Sequence, residues 1–167
     1  MIQEKVINGT YIKLTYKPSD LIAVQELKVI DTLSKEKIQE IQKRYKQQYY
    51  FLLSISLQGK EILHSAADRE WFSSMVNTLS FGMNEYVSLV NEQQDTLKLL
   101  TYNYPRMYGM SASTDILFVF ERRNLNSNDI LTFKIEDFGL YTGDLKFRIR
   151  VKDVNKVPHL RDITEND

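Results

Sequence analysis

A chain of 167 residues with 43% hydrophobic and 11% aromatic side chains is long enough to bury about two thirds of the surface its unfolded form exposes, so a single compact domain is expected over residues 1–160, with a frayed polar tail at 161–167. Twenty-two basic and 22 acidic side chains cancel; no overall field favours nucleic acid or an anionic membrane, and any electrostatic preference must come from local patches. The lack of cysteine excludes disulfides, thiol catalysis, zinc ribbons and iron–sulfur ligation, and the two histidines, His64 and His159, lie too far apart in sequence to suggest a His-rich metal site.

The opening residues Met1 to Lys5 carry no apolar signal core, so no export peptide is expected in this sequence, although an exported domain with its signal removed would read the same way. Thr10 to Tyr16 alternates Ile12, Leu14 and Tyr16 against Tyr11, Lys13 and Thr15, which predicts a half-exposed strand ended by Pro18, with Ser19 capping a short turn through Leu27. Ser34 then precedes Lys35 to Gln48, where Ile38, Ile41 and Tyr45 fall at helical spacing and Glu40 stands four residues before Arg44. That spacing predicts a surface helix.

Tyr50 to Leu57 is aromatic and branched, a buried strand that breaks at Gln58-Gly59-Lys60 and returns as a short hairpin through Glu61 to His64. The longest apolar run, Tyr49 to Leu57, falls well short of the roughly 20 residues a membrane-spanning helix needs. Ser65 and Asp68 resemble a capping box before a second helix, on which Trp71, Phe72, Met75, Val76 and Leu79 make one apolar face turned to the core.

Beyond Gly82 the pattern turns to strands at Glu85 to Val90, Thr96 to Asn103, Asp115 to Glu121, Ile130 to Glu136 and Leu145 to Lys152. The strand with Ile116, Phe118 and Phe120 opposite Leu117 and Val119 is apolar on both faces and should be central. The last alternates strictly, placing Phe147, Ile149 and Val151 on one face and Lys146, Arg148, Arg150 and Lys152 on the other. These elements predict an α+β fold of predominantly antiparallel sheet, about seven strands, with two helices in the N-terminal half; a β-sandwich is one arrangement that fits.

No catalytic signature, cofactor cradle or metal-ligand set stands out. Asp137-Phe138-Gly139 matches the kinase magnesium triplet, but the partner motifs of a kinase are missing and the triplet reads as a turn. Asp129, Glu136, Asp137, Asp144 and Asp153 match no calcium loop, and Asn8-Gly9-Thr10 fits the short N-glycosylation pattern without other support.

Two surfaces remain as candidates for binding. Tyr102, Tyr104, Arg106, Met107 and Tyr108 gather stiff aromatic and adaptable side chains around Pro105, the composition of a protein-recognition surface and also of a strand end lining its own core. Lys146, Arg148, Arg150 and Lys152 stand about 7 Å apart along one strand face, within reach of phosphates or an acidic partner, though a solvated face would look the same. The sequence therefore favours a non-enzymatic binding or assembly module for a protein partner or self-association, with no nucleic acid, no transmembrane segment and no cofactor expected. An exported or surface-tethered domain is one alternative. A small carboxylate-dependent hydrolase is another.

Overall fold

The computed structural model describes residues 1–27, 35–65 and 68–155. Ser34, His159 and the tail at 161–167 lie outside that range, as does the side chain of Ile38.

The chain opens with β1 (Ile2–Ile7) and β2 (Thr10–Lys17), an antiparallel hairpin turned by Asn8-Gly9 at φ 50° and 79°. A two-residue turn with both φ positive matches the twist of the flanking strands, and Asn-Gly is the dipeptide that adopts it most readily. Helices α1 (Ser19–Leu27) and α2 (Lys35–Lys46) follow; Ile41 of α2 is buried and Tyr45 packs against Tyr50 with ring centroids 5.7 Å apart. β3 (Gln48–Leu57) runs between β2 and a later strand, β7 (Thr114–Glu121).

After β3 the chain turns at Gln58-Gly59, with Leu57 and Lys60 exchanging backbone hydrogen bonds at 3.0 Å. The expected hairpin strand is absent there, because residues Ile62–Ser65 close into a 3₁₀ turn, with the amide of Ile62 donating to Thr114 Oγ1 at 2.9 Å. The cap of α3 (Arg69–Asn77) is Asp68 itself, whose carboxylate accepts from the Trp71 amide at 2.7 Å; Ser65 ends the preceding turn instead. Helix α3 runs through a π turn (Thr78–Gly82) into α4 (Met83–Tyr86), so Glu85 and Tyr86 are helical and not the start of a strand.

β4 (Val87–Val90) pairs with β5 (Thr96–Leu97) and with β8 (Ile130–Ile135), which pairs with β9 (Leu145–Arg150). The expected single strand Thr96 to Asn103 is two: β5 lies in this sheet, and β6 (Leu99–Asn103) pairs with β7 in the other, with a register shift between Leu99 and Thr101. Lys98 is the crossing point. Glu121 secures it, its amide donating to the Lys98 carbonyl at 2.9 Å and its carboxylate accepting the Lys98 amide at 3.1 Å.

The result is two antiparallel sheets, ordered β1-β2-β3-β7-β6 and β5-β4-β8-β9, in an α+β fold. β7 sits inside its sheet next to β3, as its two-sided apolarity requires. The inner faces share a core in which Phe133 of β8 packs against Phe51, Phe118 and Phe120 of the other sheet at 5.5, 5.7 and 5.9 Å. Phe147 and Ile149 point into this core. Val151 is buried too, yet it and Lys152 belong to a short helix, α5 (Val151–Asn155), and not to the last strand. The ladder runs out because β8 begins at Ile130; the amides of Val151 and Lys152 bond instead to the carbonyls of Asp129 and Ser127, each at 3.0 Å. Among the described residues no helix is long and apolar enough to cross a membrane.

Candidate functional site

Where β6 ends, residues 104–112 cross over the 3₁₀ turn and α3 and leave a groove of about 330 Å³ between them. Leu63, Phe72 and Val76 form its apolar side, and Glu61, His64, Tyr104, Arg106 and Tyr108 bring polar atoms to it. Phe72 and Val76 belong to the helical face expected to be core, but only Met75 and Leu79 of that face are fully buried. Phe72 remains 42% exposed and serves the groove.

The segment over the groove is pinned at both ends. Arg106 Nη2 donates to Ser80 Oγ at 3.1 Å, tying it to the π turn, a helix irregularity that recurs at functional sites. Beyond the turn, the Ser111 amide donates to Glu61 Oε1 at 3.0 Å and Ser56 Oγ donates to the Ala112 carbonyl at 2.8 Å. Glu61 is only 4% exposed, and its carboxylate faces the groove with one oxygen engaged by that amide. Burial pushes the Tyr104 hydroxyl above its ordinary pKa; the nearby Glu61 charge adds to the rise and Arg106 opposes it. Tyr104 is therefore a neutral hydroxyl through the physiological range.

Tyr108 and Gly109 form a turn at φ 53° and 83°, closed by the Met110 amide donating to the Met107 carbonyl at 3.0 Å. A tyrosine in the left-handed region is strained, because its Cβ crowds the backbone. Tyr108 nonetheless stands there 81% exposed, followed by Met110 at 78%. A second depression of about 270 Å³ adjoins the first and shares Glu61, His64 and Gly109 with it, so the groove continues past the turn.

Of the residues singled out in sequence, Tyr104, Arg106 and Tyr108 meet in the groove, while Met107 is exposed on the turn beside it. Tyr102 turns inward, stacked on Phe118 with centroids 5.8 Å apart and its hydroxyl accepting the Met83 amide at 3.4 Å. Sequence reasoning missed Glu61 and His64 as groove residues; their only local signal was a polar side chain on either side of the apolar pair Ile62-Leu63.

The cationic residues fall elsewhere, on the outer face of the second sheet. Lys146, Arg148 and Arg150 are exposed on β9, and Lys152 follows in α5. The Asp-Phe-Gly triplet is a turn, as expected: Asp137 Oδ1 accepts the amides of Gly139, Leu140 and Tyr141, and Oδ2 accepts that of Gly143. No cluster of three or more residues able to hold a metal occurs among the described residues.

Compared with protein-family models, curated proteins and solved structures, the chain matches none of them.

Proposed function

We propose that this protein is a binding module whose groove receives an extended segment of a protein partner, with an apolar side chain of that partner seated against Leu63, Phe72 and Val76. The observation that carries this reading is Tyr108, an aromatic side chain held in strained backbone and in solvent at the lip of a partly apolar groove. Tyr141 is as exposed and stands at φ 57°, but lines neither depression, so what sets Tyr108 apart is the partly apolar groove beside it, and aromatic side chains at the centre of an interface supply much of its binding energy. Two adjoining depressions in line suit an elongated occupant better than a compact one.

A hydrolase reading is less well supported, since acid–base cleavage of glycosides uses two carboxylates and, among the described residues, Glu61 is the one carboxylate lining either depression. The test is site-specific photocrosslinking in cells of origin, with benzoylphenylalanine placed at Tyr108 or at Tyr141, an equally exposed tyrosine in another loop. A defined protein adduct is expected at position 108 and not at 141, and Phe72→Ala should abolish it. Indistinguishable adducts at both positions, or none at 108, would reject the groove.

A further inference from the structure

On the outer face of the second sheet, Lys134 of β8 lies directly opposite Lys146 of β9, and Arg148 and Arg150 continue the row. Like charges facing each other across a strand pair are unfavourable, and Lys134 sends its ammonium to Gln94 Oε1 at 3.0 Å, a neutral partner that leaves the charge uncompensated. The remaining outward cross-strand partners within the ladder are Thr132 and Ile130, and the nearest acids of the same parity, Glu136 and Asp144, lie beyond its paired end, where Asp144 Oδ1 accepts the Asp137 amide at 3.1 Å. Among the described residues no carboxylate lies within salt-bridge distance of Lys134, Lys146, Arg148 or Arg150. In a chain of zero net charge this is a segregated cationic face. Where β9 gives way to α5, Arg150 and Lys152 converge with Ser127, Asn128 and Ile130 on a small, mostly polar notch of about 140 Å³.

We propose that this face docks onto an anionic phospholipid bilayer, with the notch taking one lipid phosphate. Three observations select that occupant. The outward side chains of β8 and β9 include no aromatic ring on which a single-stranded nucleic acid would stack. An acidic peptide adding as a strand is obstructed, because Gln3 of β1 already donates to the Arg148 carbonyl at the open edge of β9. What remains is a broad array of cations about 5–7 Å apart, complementary to a plane of phosphates.

Co-sedimentation with vesicles tests it, using phosphatidylcholine alone and phosphatidylcholine with phosphatidylserine in equal parts. Binding to the anionic vesicles only is expected, weakening about fivefold for each cation removed, so that Lys146→Gln with Arg148→Gln loses roughly 25-fold. Lys43→Gln with Arg69→Gln, the same charge change at exposed sites elsewhere, should bind much as the parent does. Lys134→Thr gives a second check, weakening vesicle binding while relieving the repulsion with Lys146 and leaving thermal stability equal or higher. No binding by the parent protein, or equal loss in the two double variants, overturns the proposal. Capture of polyglutamate by the same face without vesicle binding overturns it in favour of an acidic protein partner.

Discussion

Two residues show how local chemistry holds the loops. Burial raises the Asp137 carboxyl, but the four backbone amides that point at it outweigh that effect and keep its pKa below the ordinary 3.8. A depressed carboxylate pKa contributes stability that is present above the unfolded value and lost as pH falls through the lower folded one. Thermal melts should therefore fall off below about pH 4 in the parent and more gently in Asp137→Asn, with the variant about 1–2 kcal/mol less stable at neutral pH. Tyr108 makes the opposite prediction. Tyr108→Gly should relieve left-handed strain and raise the urea midpoint, a gain of about 1 kcal/mol, while binding at the groove is lost. A lowered midpoint would mean that the tyrosine packs favourably and is not strained for function. Sequence composition marked the tyrosine segment as special, but it could not tell Tyr102, which turns to the core, from Tyr104 and Tyr108; that choice depends on Phe118 and α3, far away in the chain.

Period-two hydrophobicity located β2, β3, β7, β8 and most of β9, because each has a buried face that fixes its alternation. It missed β1, whose outward residues include Ile2 and Val6 and whose inward ones include Gln3 and Lys5, so the alternation carries no clean polarity. The hairpin signal Asn8-Gly9 was nevertheless present in the sequence. It also failed at the crossing from β5 to β6, since a strand that changes sheets keeps its extended backbone and its pattern. That crossing depends on Glu121, whose carboxyl is held below its ordinary pKa by the Lys98 amide and by Arg123, with Arg123 Nη2 at 2.8 Å. Glu121→Ala should accelerate hydrogen exchange at the Lys98 amide and leave the amides at the centre of β3 unchanged. Equal protection at Lys98 in both proteins would show that the crossing holds without its clasp.

For the whole molecule, the antiparallel α+β architecture was legible because short polar links between the late strands leave no room for crossover helices. How the sheets face each other was not, since pairing of remote aromatic rings leaves no local trace. Phe133 is the side chain on which that packing converges, and Phe133→Ala should cost about 3–5 kcal/mol in urea unfolding, with both sheets lost in one transition. Separate transitions would mean two weakly coupled layers.

The two long rims of the sandwich are unlike. Along one, continuous backbone passes from layer to layer at Lys98; along the other, β1 reaches β9 through side chains, with Gln3 on the Arg148 carbonyl and the Lys5 ammonium 5.4 Å from the Phe147 ring centre. The layers are thus stitched by main chain at one rim and by side chains alone at the other.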